Sequence, residues 1–217
     1  MRTFFARSAE QAHAGDPLRH RPLPDIPMTL VLVILLAIAL LVGVYFVMVY
    51  NALVQLKHNV SKAWANIEVL LKQRHDELPK LIETCRQYMT FEQDTLQRVI
   101  EARSRVHAAT QSQDVAALGP AEGALRTGLG NLFALAESYP DLKANASFQQ
   151  LQSRISALED SIADRREFYN ESVNINNVRI EQVPDVFVAQ LFGFTPFKLL
   201  EFMDDEKRDV DVKQLFT

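Results

Sequence analysis

The sequence predicts an all-α protein: an antiparallel four-helix bundle preceded by one N-terminal transmembrane helix. Three observations predict it. The chain has 7 glycines in 217 residues, none between Gly43 and Gly119 or between Gly130 and Gly193. Long glycine-free stretches rich in Ala, Leu, Gln, Glu and Arg favour helix. Residues 28–50, MTLVLVILLAIALLVGVYFVMVY, carry no charge. Beyond them, apolar residues recur at steps of three and four, and no segment sustains the period of two that a half-buried strand needs.

Residues 1–27 contain Pro17, Pro22, Pro24 and Pro27 among polar residues. They are expected to form a flexible polar tail without a core of its own. Residues 28–50 suit a membrane span, because about 20 apolar residues cross the hydrocarbon core. Tyr45 and Tyr50 lie towards one end, where amphipathic rings favour the headgroup level. A signal peptide is the competing reading. Its apolar region is shorter and precedes a small-residue cleavage site, whereas this run continues through Tyr45, Phe46 and Met48. Arg19 and Arg21 on one flank balance Lys57 and Lys62 on the other, so the positive-inside rule gives no orientation.

Residues 51–184 are expected to form the bundle. Leu53, Leu56, Val60, Trp64, Ile67 and Leu71 make one helical stripe. A second stripe runs through Leu78, Leu81, Ile82, Cys85, Tyr88, Met89, Leu96, Val99, Ile100 and Val106. Proline suits only the first turn of a helix, and Asp76 can cap a helix that places Pro79 there. A break near Arg74–Asp76 therefore gives helices of roughly 51–74 and 77–108; the alternative is one helix kinked at Pro79. Residues 109–120 make a connection, followed by a helix over 121–139 that contains Gly123, Gly128 and Gly130. The last helix is expected over about 142–182. Its seam runs Phe148, Leu151, Ile155, Leu158, Ile162, Arg165, Tyr169, Ser172 and Asn176, a coiled-coil alternation of threes and fours. Residues 185–217 are an apolar segment and acidic tail, with an aromatic stretch over 186–203 that either caps the bundle or rests on the headgroup region. With the break at Asp76, helix parity brings the end of the last helix beside Tyr50 and Asn51; an unbroken helix would send it to the far end.

The segments Tyr50–Val54, Ala63–Val69 and Leu71–Leu81 resemble the opening signature of the LemA family. Glu101–Ser104, Tyr139–Asn145, Phe148–Gln152, Arg165–Asn170 and Gly193–Phe194 extend the resemblance over about residues 44–203. Two positions depart from the pattern. Ile175–Asn176 stands where the family usually has a second Tyr–Asn pair, and Val183–Pro184 where it has Phe–Pro. The resemblance implies a single-pass protein of the bacterial inner membrane, with an N-terminal anchor and a helical bundle, and does not imply an enzyme. One branch of the family is associated with magnetosome membranes.

Chemistry-bearing patterns are sparse. The net charge is −4, the wrong sign for a general nucleic-acid binder. Cys85 is the single cysteine, so an intramolecular disulfide and a cysteine-based zinc cluster are excluded. On the apolar stripe it reads as a buried, inert thiol. His58, His75 and His107 have no His or Cys at i+3 or i+4, so neither a metal nor a cofactor is expected. Glu159, Asp160 and Asp164, beside Arg165 and Arg166, read as a solvated ion-paired face. There is no phosphate-binding glycine loop and no nucleophile elbow.

The residues that stand out are polar ones on apolar seams. Arg165 and Asn176 occupy core-type positions, where an unbonded polar group costs about 1–3 kcal/mol. Either the seam turns to solvent there, or a polar network or partner surface involves Asn51, Arg165, Asn170 and Asn176. Two function classes follow. One is a membrane-anchored scaffold or adaptor without catalytic activity, binding an unidentified protein partner. The other is a small-ligand sensor or enzyme with a polar pocket built around Asn51, Asn170 and Asn176.

Overall fold

A computed structural model describes residues 27–201; residues 1–26 of the polar tail expected over 1–27, and residues 202–217 of the segment expected over 185–217, lie outside the described residues. Of the described residues 84% are helical and none is in a strand. The helices are α1 (Met28–Arg86), α2 (Gln93–Gln111), α3 (Val115–Ala136), α4 (Pro140–Lys143), α5 (Ala146–Glu181) and α6 (Asp185–Leu191). The chain divides into two units, Met1–Tyr45 and Phe46–Thr217.

In the first unit, the described part of α1 buries nothing: Leu30 to Val44 are exposed on every face. A soluble helix buries its apolar stripe against a core, so this segment has the length and composition of a membrane span. The second unit has the core. Ile67, Leu78, Leu81, Leu118, Leu132, Leu142, Phe148 and Ile155 are completely enclosed. Trp64, on the first predicted stripe, is buried with its ring 5.7 Å from that of Tyr169.

The expected break at Arg74–Asp76 does not exist; α1 passes through Pro79. A proline at position 79 leaves the carbonyl four residues earlier, that of His75, without its helical donor. Arg103 of α2 supplies the replacement: its Nε donates to the His75 carbonyl at 3.1 Å. The chain instead turns between Arg86 and Gln93, where Tyr88 and Met89 N–H groups both donate to the Cys85 carbonyl. Moving the turn preserves the parity. Contacts run along α1, and the turn after it, in the opposite order to α5: Leu53 shares a buried cluster with Ile180, Trp64 meets Tyr169, Glu77 meets Arg154, and Tyr88 of the turn meets Asn145 at the start of α5. The end of α5 thus meets Val49 and Leu53 although the helix is unbroken, so the expected link between a continuous helix and the far end was wrong.

The predicted connection 109–120 shrinks to 112–114. Asp114 caps α3 by accepting from the Ala116 and Ala117 N–H groups. Pro120 then falls inside the helix. The glycines of α3 are partly places of close approach: a Cβ on Gly128 would stand 3.3 Å from Val99 Cγ2 of α2. The last predicted helix is divided. Asn145 caps α5 by accepting from Phe148 N–H, and its amide donates to the Tyr88 hydroxyl at 3.1 Å.

The α5 seam also needs correction. Ile162, Tyr169 and Asn176 are buried as expected, but their buried neighbours are Arg166, Val173 and Ile180. Arg165 is exposed and Ser172 half-buried. Both sets lie four residues from one seam position and three from the next, so helix geometry alone does not choose between them. Packing against the neighbouring helices turns Arg166, Val173 and Ile180 inward.

Candidate functional site

The four singled-out residues lie in different settings. Asn51 and Arg165 are exposed, Asn170 is half-buried, and Asn176 is buried. Arg165 is on the solvent side, and the buried arginine is Arg166. Asn176 donates to Asn177 Oδ1 at 3.2 Å.

Asn170 and Asn177 have a defined role. After α6 the chain runs back as an extended strap over residues 194–201. Asn170 Nδ2 donates to the Leu200 carbonyl at 3.0 Å, and its Oδ1 accepts from Leu200 N–H at 2.8 Å. Asn177 repeats the pattern on Phe197, at 2.9 and 3.0 Å. Seven residues of helix rise about 10.5 Å. Three residues of extended chain span about 10 Å. The spacings match, so two side-chain amides on one face of α5 each bond one backbone amide of the strap. Tyr169 adds a bond from its hydroxyl to the Lys198 carbonyl at 3.0 Å. Leu200 is buried beneath the strap. On the α3 side the strap lies so close that a Cβ on Gly119 would collide with the Glu201 carbonyl oxygen. Asn177 was missed in the sequence. Its spacing of seven from Asn170 was the available signal.

A second polar cluster links α1, α3 and α5. Buried Arg74 forms an ion pair with buried Glu122. Glu159 faces the same cluster: burial raises its pKa most, Arg74 and Arg126 oppose that, and Glu122 and Asp160 add to it. Its Oε1 is buried without a hydrogen-bond partner, so Glu159 is not part of the solvated face expected of it. Buried Glu77 pairs with Arg154 at 3.3 Å and Lys80 at 3.2 Å. Near the α1–α2 contact, His75 and His107 stack with ring centres 4.2 Å apart, and His75 Nε2 lies 2.7 Å from Arg103 Nη2. Burial, Arg103 and His107 lower the His75 pKa, in that order, against a smaller opposing effect of Asp76.

Cys85 is fully enclosed, and burial pushes its thiol up to about 11. Such a thiol is not a nucleophile at neutral pH. Among the described residues no three His, Cys, Asp or Glu side chains come together as a metal donor set. Two clefts open on α3. One, of about 540 Å³, is lined by Arg105, Ala108, Ser112 and Ala117. The other, of about 580 Å³, lies along the strap beside Ala116, Gly119, Asn177 and Lys198.

The family model for LemA matches residues 63–214. The chain belongs to the LemA family. It is 29% identical to Protein LemA of Metamycoplasma hominis, over 79% of this chain and 78% of that protein. It is also 24% identical to Magnetosome protein MamQ of Magnetospirillum gryphiswaldense, over 74% of this chain and 69% of the relative. The segments that carry the LemA resemblance now have structural roles. Arg103 completes the helix through Pro79, Asn145 caps α5, and Tyr169 and Asn170 bind the strap.

Proposed function

We propose that this LemA-family protein is a membrane-anchored scaffold or adaptor without catalytic activity. Residues 28–50 cross the bacterial inner membrane once, and an antiparallel four-helix bundle of α1, α2, α3 and α5 presents its outer faces to a protein partner. One observation carries the reading: several buried and half-buried polar side chains of the described bundle are engaged in holding the chain together. Asn170 and Asn177 bind the strap, Arg74 binds Glu122, and Arg103 binds α1. The exposed apolar turns of α1 support the anchor. Relatives named for the magnetosome support a membrane setting. The competing sensor reading called for a pocket around Asn51, Asn170 and Asn176. Asn51 is exposed on α1, and the Asn170 amide is filled by Leu200.

The test has two parts. The protein should remain in the membrane pellet after high-salt and carbonate washes. After detergent extraction and gel filtration, a stoichiometric protein should co-elute, and mass spectrometry of the denatured complex should find no stoichiometric small molecule. Release by carbonate would refute the anchor. A bound metabolite at one per chain would refute the scaffold in favour of the sensor.

A further inference from the structure

We propose that α6 makes a second, peripheral contact with the membrane, resting on the boundary between headgroups and acyl chains beside the point where α1 leaves the bilayer. The proposal rests on residues 28–50 being the membrane span.

The inner face of α6 is accounted for by packing. Val188 and Ala189 are buried against Val49, Leu53 and Ile180. The Phe192 ring lies 4.7 Å from Tyr50 and 6.0 Å from Phe46, and Phe194 lies 6.0 Å from Tyr50. The outer face is not accounted for. Phe187 is 65% exposed and Leu191 is 69% exposed. They are four residues apart and so lie one above the other on the same side of the helix. Val183, just before α6, is 77% exposed. A helix that only capped the bundle would need apolar residues on its inner face and polar ones facing water.

Its neighbours on α1 say what covers that outer face. Phe46, Val49 and Tyr50 are among the last residues of the apolar run 28–50. About 20 helical residues cross the hydrocarbon core, so counting from Met28 the core ends near residue 47. Residues touching Phe46 and Tyr50 are therefore held at the interface, where aromatic rings concentrate. The acid that opens α6 is no obstacle: Asp185 is buried and paired with Arg179. The exposed side of α6 then carries Phe187, Gln190 and Leu191 and no charge. A surface of this kind enters lipid through apolar burial, without needing anionic headgroups.

Single cysteines at Phe187, Leu191, Ile38 and Phe91 in the full-length protein test this. The native thiol of Cys85 is enclosed, and unsubstituted protein provides its labelling blank. Each variant is labelled with a nitroxide, reconstituted into phosphatidylcholine vesicles, and probed for collision with oxygen, which partitions into lipid, and with a water-soluble nickel chelate. Ile38 reports the span. Phe91, 92% exposed in the α1–α2 turn, reports water. Labels at 187 and 191 should show an oxygen-to-nickel collision ratio several-fold above that at 91, unchanged when phosphatidylglycerol is added. A ratio at 187 and 191 equal to that at 91 would overturn the proposal in favour of a simple cap. Protection from both reagents would overturn it in favour of a second copy or a protein partner. A water-like label at 38 would refute the span itself, and is thereby distinguished from failure at α6.

Discussion

Replacing Pro79 by alanine should stabilise the protein, and the size of the gain should depend on Arg103. An interior proline disfavours helix by about 3 kcal/mol relative to alanine, through the lost N–H and the ring's clash with the preceding turn. Proline also restricts the unfolded chain, which returns about 0.4–1 kcal/mol to the native protein. Here a further part is recovered because the orphaned His75 carbonyl accepts from Arg103 Nε at 3.1 Å. A hydrogen bond from a charged donor contributes about 1.5–3 kcal/mol, and the half-exposed setting of Arg103 points to the lower end. Pro79→Ala alone should therefore gain about 1 kcal/mol. Arg103→Ala should cost about 1.5 kcal/mol beside the native Pro79. It should cost clearly less in the Pro79→Ala background, where the new alanine's own N–H can reach the His75 carbonyl. The four proteins of this cycle can be compared by urea titration in one detergent, followed by far-ultraviolet circular dichroism. Uncoupled substitutions add to within about 0.3–0.5 kcal/mol, so a coupling near 1 kcal/mol is resolvable. Equal costs of Arg103→Ala in the two backgrounds would refute the account of why α1 continues through Pro79.

Asn170→Ala removes two hydrogen bonds to Leu200. At about 1 kcal/mol each, the strap should open roughly 30-fold more often. Trypsin cleavage after Lys198 measures this, with Asn170→Asp intermediate because it keeps the acceptor; an unchanged rate would show that the strap is held otherwise. Trp64→Ala should cost about 3–5 kcal/mol. Trp64→Phe should cost far less than that, since it also removes a buried Nε1–H that has no hydrogen-bond partner; urea titration separates the two. The lowered pKa of His75 means that the unfolded chain binds its proton more tightly than the folded one. Stability should be complete above about pH 6.5 and should fall as the pH drops below it towards the folded value. Melting temperatures of His75→Gln should lack that component; an identical decline in the variant would assign it to other groups.

Much of this protein is set by local pattern. The uncharged run 28–50, the helical content and the burial of Trp64 and Cys85 follow from apolar spacing, which each segment carries within itself. Tertiary contacts decided the rest. The local rule for proline predicts a break at residues 74–76, and it fails because the missing donor comes from Arg103, on another helix. The turn over 87–92 contains neither glycine nor proline. It is held by burial of Met89 and by the bond from Asn145 to Tyr88. Arg165 and Arg166 are adjacent, so periodicity alone left the seam's rotation open. Packing against the neighbouring helices turned Arg166 inward and left Arg165 in solvent. The strap has no periodicity of its own, because its order comes from side-chain amides about 20 to 30 residues earlier in the chain. Periodicity records which face of a segment avoids water, and says nothing about which distant group completes a hydrogen bond. That is why the helices were legible in the sequence, while the path through Pro79 and the clamp on the strap required the folded chain.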